Sequence, residues 1–147
     1  MAEFSSPAEL FHNRGLVSDP EALVRETEAV SWLFLCGEGF ADMEGGMSYE
    51  SVEAAAPESA NVVSDPPRGL DMDLAREQIA ALDQLPRPTL VTCRVGPRAS
   101  ALIYLYSGLK AGASAEDVLQ RADADDALFS PSDELRAWVA QSLEELS

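Results

Sequence analysis

Cys93, Gly96 and Arg98 lie close enough along the chain to do chemistry together. The stretch Thr89-Leu90-Val91-Thr92-Cys93-Arg94-Val95-Gly96-Pro97-Arg98 reads as a short apolar strand, a cysteine at its end, a tight glycine-containing loop and an arginine. An apolar helix follows from Ala99. This order seats the thiol over a helix N-terminus, where unpaired backbone N–H groups and the helix dipole favour negative charge. A helix N-terminus lowers the pKa of a thiol placed there and favours the nucleophilic thiolate. Arg98, at the start of the helix, adds a planar fork of donors suited to a tetrahedral oxyanion. A nucleophile beside an anion site is the outline of a cysteine-dependent phosphatase or sulfurtransferase. The same residues also fit a buried structural cysteine followed by ordinary turn chemistry.

The elements around this loop read as α/β. Asp19-Pro20-Glu21 opens a helix with an acceptor cap, a proline at the first helical position and an early acid. Leu23, Val24, Thr27 and Val30 would mark one face of it. Trp32 to Cys36 is a buried strand closed by Gly37, and the glycine-rich, acidic run from Gly37 to Gly46 is a loop. Tyr49 to Ala56 reads as a short helix, Asn61 to Ser64 as a second strand, and Asp71 to Leu85 as an amphipathic helix ended by Pro86 and Pro88. After the strand Thr89–Thr92, the run Ala99 to Leu109 is apolar enough to be a buried central helix. Two capped helices close the chain, and in the last of them Leu135, Trp138, Val139 and Leu143 form a core-facing stripe. Strands separated by helices imply a small parallel sheet flanked by helices, with an all-helical C-terminal third.

Composition bounds the function. A chain of 147 residues, 46% hydrophobic and 24% charged, suits one globular domain over its whole length. Met1 to Ser6 read as an untethered start. No apolar run reaches the length of a membrane span and no leader-like segment opens the chain, so a cytoplasmic setting is expected. Cys36 and Cys93 are too few for a disulfide framework, and with His12 as the sole histidine a Cys/His zinc site is not expected. No cofactor is called for. The formal charge of −16 speaks against nucleic acid and anionic membrane as partners. A small anionic or phosphorylated substrate must therefore be captured by a local positive pocket.

Two stretches carry a resemblance. Leu82-Asp83-Gln84-Leu85-Pro86-Arg87-Pro88 leading into Thr89–Arg98, and Gly112-Ala113-Ser114-Ala115-Glu116-Asp117-Val118-Leu119, resemble the dual-specificity-phosphatase-like domain that accompanies β-lactamase-fold hydrolases in bacteria. The resemblance runs from about Asn61 to the end, and residues 1–60 match less. It implies a phosphatase-like fold, with Cys93 as nucleophile and Arg98 as oxyanion clamp. The backbone from Arg94 through Val95 and Gly96 to Arg98 would be the anion cradle. It implies an aspartate general acid on an earlier loop, for which Asp65, 28 positions before Cys93, is the match and Asp71 the fallback. Either aspartate could equally be a turn residue or a helix cap. A β-lactamase-fold hydrolase is the partner the resemblance implies.

Several residues depart from that pattern. Four residues separate Cys93 from Arg98, one fewer than in cysteine phosphatases and typical of rhodanese-like sulfurtransferases, where cysteine carries a persulfide. Pro97 lacks an N–H donor, Ala99 stands where a hydroxyl residue is usual, and Thr92 replaces a histidine. Yet helices follow the loop where rhodaneses return to a strand. Three readings stay open: phosphatase, sulfurtransferase or persulfide carrier, and an anion-binding regulatory module without turnover. Cys36 ends its strand as Cys93 does, so a structural thiol or a resolving thiol for oxidised Cys93 are both expectations to test.

Overall fold

The structure, a computed structural model, describes residues 9–64 and 69–146. The expectations for Met1–Ser6 and for Asp65 lie outside the described residues. Four strands form one sheet: β1 (Leu10–His12), β2 (Ser31–Phe34), β3 (Glu58–Asn61) and β4 (Thr89–Thr92). Their order is β1-β4-β2-β3 and every pairing is parallel, with Leu10 and Ser31 both beside Thr89 and Ser31 beside Glu58. The helices are α1 (Pro20–Thr27), α2 (Tyr49–Ala55), α3 (Met72–Gln84), α4 (Pro97–Ala111), α5 (Ala115–Ala124) and α6 (Asp133–Leu146). The expected architecture is present, down to the all-helical C-terminal third. No helix among the described residues is long and apolar enough to cross a membrane.

β2 and β4 are buried at every position, as parallel strands covered on both faces must be. The period-2 alternation of their side chains divides the core in two. Leu33, Leu35, Val91 and Cys93 face the layer of α3, α4, α5 and α6, with Leu74, Leu102, Leu105, Val118 and Val139. Trp32, Phe34, Cys36 and Leu90 face the other layer, with Phe40, Met47 and Val52. α4 runs through the middle of the larger layer and is buried from Ala99 to Gly108. Gly108 lets its neighbours close in: a Cβ there would stand 2.5 Å from Val118 Cγ2 and 3.2 Å from Leu143 Cδ2. The stripe Leu135, Trp138, Val139 and Leu143 is buried as its spacing demands.

Some local readings change. β1 escaped the sequence reading because a three-residue edge strand carries no alternation long enough to register. β3 lies at Glu58–Asn61, with the apolar Val62 and Val63 beyond it; as an edge strand it is set by pairing with Ser31–Phe34. Pairing persists past the strand, since Val62 N–H donates to the Phe34 carbonyl at 3.0 Å. α1 stops at Thr27 because Glu28 takes a left-handed conformation (φ 56°), which leaves Val30 exposed beyond the helix. The loop after Gly37 contains a 3₁₀ turn, Glu38–Asp42. α4 begins at Pro97, two residues earlier than expected, because proline suits the first helical position.

Candidate active site

Parallel strands end on one edge of the sheet, and loops at that edge are where α/β proteins build sites. Cys93 follows β4 at that edge and is buried. The chain then turns through Arg94, Val95 and Gly96 into α4. Gly96 is required by its backbone. Its φ is +119°, and a Cβ would stand 2.2 Å from the Asn13 carbonyl oxygen. Its N–H donates to Cys93 Sγ at 3.1 Å, so the thiol sits at the helix N-terminus as the sequence implied. Pro97 at the first helical position has no N–H to lose, which leaves the cradle to its other backbone donors.

The residue the sequence reading missed is Asn13, directly after β1 and 4% exposed. Its Oδ1 accepts from the Cys93 N–H at 3.3 Å. Its Nδ2 donates to the Cys93 carbonyl at 3.0 Å, the Arg94 carbonyl at 3.3 Å and the Gly15 carbonyl at 2.9 Å. Gly15 N–H in turn donates to the Val95 carbonyl at 2.7 Å. The loop after β1 thus underpins the cysteine loop with both ends of one amide. The signal available in sequence was Asn13-Arg14-Gly15, a turn after a short apolar run; without β1 it had no strand to follow.

Two arginines line the same pocket as the cysteine. Arg98, in the first turn of α4, donates through Nη1 to the Ser64 carbonyl. Arg94 lies over the Phe40 ring, its Cζ 5.8 Å from the centroid. A pocket of about 410 Å³ opens over this loop. Cys93, Arg94, Val95, Pro97 and Arg98 line one side of it; Leu70 and, from the start of α6, Ser132, Glu134 and Leu135 line the other. The structure therefore brings Cys93, Arg94, Val95 and Arg98 to one cavity, with Gly96 bonded to the sulfur.

Other candidates go elsewhere. Asp71 is the N-cap of α3: its Oδ1 accepts from the Leu74 N–H at 2.8 Å, and its carbonyl accepts from Trp138 Nε1 at 2.9 Å. That occupation answers the fallback acid with the capping alternative. Thr92 faces the opposite layer and accepts from Trp32 Nε1 at 2.8 Å, so its hydroxyl serves the core and not the thiol. Ala99 and Ser100 are buried on α4 and line no part of the pocket. Cys36 ends the neighbouring strand, as the resolving-thiol idea required. With Leu35 N–H on the Thr92 carbonyl at 2.9 Å, however, Leu35 runs beside Cys93 and Cys36 turns to the other sheet face. Neither cysteine is in a disulfide, and the two lie in separate layers. His12, beside Asn13, has its pKa lowered from 6.5, first by burial and then by the charge of Arg14, against the partial support of the Asn13 carbonyl. Among the described residues no three His, Cys, Asp or Glu side chains converge as a metal site would need.

No protein-family model and no curated protein matches the chain. Solved structures do. The chain is similar to a mutant form of Tk-PTP, with TM-score 0.75 and 11% identity, covering 95% of this chain and 93% of that one. It is similar to the Yvh1 phosphatase domain from Chaetomium thermophilum, with TM-score 0.66, 14% identity and coverage of 98% and 95%. It is also similar to the core catalytic domain of the PP-IP phosphatase SIW14 from S. cerevisiae, with TM-score 0.63, 15% identity and coverage of 97% and 83%. The fold is that of tyrosine-phosphatase-like proteins.

Proposed function

We propose that this chain is a cysteine-dependent phosphatase acting on a small phosphate monoester. The observation that carries the reading is the Gly96 N–H on Cys93 Sγ at the N-terminus of α4, inside a pocket that Arg94 and Arg98 also line. In the proposed reaction Cys93 thiolate attacks phosphorus, an S–P bond forms and the P–O bond to the leaving group breaks. Water then cleaves the S–P bond, releasing phosphate and the thiolate. The free backbone donors of the loop and the fork of Arg98 hold the equatorial oxygens as charge shifts onto them. Arg98 has five donors, so its bond to the Ser64 carbonyl leaves a fork for the anion.

The leaving oxygen needs a proton, and we assign that role to Asp65. The support is covalent. Asp65 follows Ser64 in the sequence, and the Ser64 carbonyl accepts from Arg98. The resemblance of Leu82–Arg98 supports a β-lactamase-fold hydrolase as physiological partner, and a cytoplasmic setting remains the expectation.

Steady-state hydrolysis of a generic aryl phosphate tests the reading. We expect turnover that Cys93→Ser abolishes and Asp65→Asn impairs; turnover unchanged in Cys93→Ser overturns it. The short loop, with four residues between Cys93 and Arg98, favours one rival, sulfane-sulfur transfer. A gain of one sulfur on the Cys93 peptide after thiosulfate, with cyanide-dependent thiocyanate formation and no ester turnover, would replace the phosphatase reading. Phosphate binding with neither activity would instead identify a regulatory module.

A further inference from the structure

The loops after three different strands each leave one apolar side chain in water at the same edge of the sheet. Leu16 follows β1, Met43 follows β2 and Val95 follows β4, and they are 52%, 47% and 47% exposed. Among the described residues one other large hydrophobic is exposed, Val30, and it lies at the opposite edge, just before β2. Scattered apolar residues need no explanation, but convergence on one edge does. The three loops are also tied together. Gly15 N–H donates to the Val95 carbonyl at 2.7 Å, which sets Leu16 next to the cysteine loop. A Cβ at Gly45 would stand 2.8 Å from Leu16 Cδ1, so the leucine sits against that glycine. Gly45 belongs to the turn that Met43 opens, closed by Gly46 N–H on the Met43 carbonyl at 2.9 Å. Met43 N–H donates to the Phe40 carbonyl at 3.2 Å, and the Phe40 ring lies under Arg94. The three side chains stand on one rim of interlocked loops.

Resting on the phosphatase reading, we infer that this rim seats apolar residues that flank the phosphorylated side chain of a protein substrate. Val95 joins the two regions, since it lines the pocket and stands on the rim. The small monoester that the pocket of about 410 Å³ accepts is the phosphorylated side chain itself. Leu16 and Met43 line no part of that pocket, so a ligand confined to it leaves them in water. A peptide does not. Val95 is two residues from Cys93, and an extended chain advances about 3.3–3.6 Å per residue, so neighbours of the phosphorylated residue reach the rim. An anionic lipid surface fits worse. Asp42 and Glu44 are exposed on either side of Met43, Arg14 is the one cation in the loop that carries Leu16, and the whole chain has a net charge of −16.

Calorimetry on the full chain carrying Cys93→Ser measures this docking independently of turnover. The probes are two pairs of peptides, one pair centred on phosphotyrosine and the other on phosphoserine. Within each pair the flanking residues are leucine in one member and serine in the other. Both members carry the same charge, so every charged group around the pocket acts on them equally. We expect the leucine-flanked member of at least one pair to bind about tenfold more tightly, as partial burial of aliphatic side chains supplies. The gap should survive high salt and bring a more negative heat-capacity change, both marks of buried apolar surface. Added Leu16→Ser with Met43→Ser should bring the ratio within the pair near one, whereas Val30→Ser should leave it in place. Equal affinities within both pairs, no binding of any peptide, or a ratio that survives Leu16→Ser with Met43→Ser overturns the inference. So does sedimentation of the chain with phosphatidylcholine vesicles, or a dimer that the same two substitutions dissociate, since either gives the rim another occupant. If the apolar preference holds while the wild type hydrolyses no aryl phosphate, the hydrolase reading falls and the docking stands. Hydrolysis without the preference leaves the phosphatase reading and removes the inference.

Discussion

The two ends of β4 use the same residue types for opposite purposes. Before Thr89, Arg87 donates to the Leu82 and Leu85 carbonyls at 2.9 Å each, so it caps the end of α3. Its other nitrogen donates to the Tyr106 hydroxyl at 3.0 Å, and that hydroxyl donates to Asp83 at 2.7 Å. Lys110 completes the cluster, 2.9 Å from Asp83. Every charge there has a protein partner of opposite sign or a carbonyl. After Thr92, Arg94 and Arg98 line an open pocket beside a thiol, and the buried polar side chain, Asn13, is spent on backbone. The first cluster is closed on itself, whereas the second group borders a cavity.

The comparison breaks most sharply at Cys93. Cys93→Ser should reduce aryl phosphate turnover on the order of 10³-fold or more, as removal of a nucleophile does. Thermal stability should hardly change, since serine is nearly isosteric. At the other end of β4, Arg87→Ala should do the reverse. It leaves the Leu82 and Leu85 carbonyls without their donor and should cost about 1–3 kcal/mol in denaturant titration, with turnover retained. A large turnover loss in Arg87→Ala would erase the distinction between the two ends.

Asn13 sharpens the comparison because it is structural in bonding and functional in position. Asn13→Ala removes four hydrogen bonds to backbone and leaves the Cys93 N–H and carbonyl buried without them. The expected cost is about 2–4 kcal/mol of stability, with a fall in turnover of about 10²-fold from a misplaced thiol. Asn13→Asp keeps the acceptor for Cys93 N–H but sets a carboxylate against carbonyl oxygens, so it should not restore turnover. Full activity in Asn13→Ala would show that the loop holds its shape without this amide. Gly96→Ala should be at least as damaging, since its methyl would overlap the Asn13 carbonyl.

How much of this could be read in the chain follows from where each signal is stored. Cys93, Gly96 and Arg98 are legible because a strand, a loop and a helix cap are contiguous in sequence, and the geometry that unites them is local. The stripe on α6 and the apolar run of α4 are legible through periodicity. Asn13 and the wall at Ser132 and Glu134 are not, because their meaning depends on contacts 80 residues away in one case and on the docking of α6 in the other. β1 illustrates the same limit: three residues acquire strand character by pairing with Thr89–Val91 and carry little of it themselves. Cys36 shows the converse, since the parallel between the two strand ends was real but the pleat sends successive side chains to opposite faces.

The smallest expected effect separates the two ends by acid. His12, beside Asn13, has a folded pKa below its ordinary 6.5, with burial as the main cause. The unfolded chain therefore binds more protons near that pH. The stabilising contribution is full above pH 6.5 and declines as pH falls from there through the folded value. Asp83 is shifted below 3.8, chiefly by the Tyr106 hydroxyl and then by Lys110 and Arg87. Its contribution is present above pH 3.8 and is lost only as pH falls through a still lower value. Mild acid should thus weaken the edge of the sheet that carries the cysteine loop while the Arg87–Tyr106 cluster holds. Melting temperatures taken downward from neutral pH should begin to fall near 6.5 in the wild type. His12→Asn should flatten that early slope and leave the loss below 3.8, whereas Asp83→Asn should keep the early slope and only reduce the loss below 3.8, which Asp123 and Asp125 share. An early slope that survives His12→Asn would assign the acid sensitivity of this edge to another group.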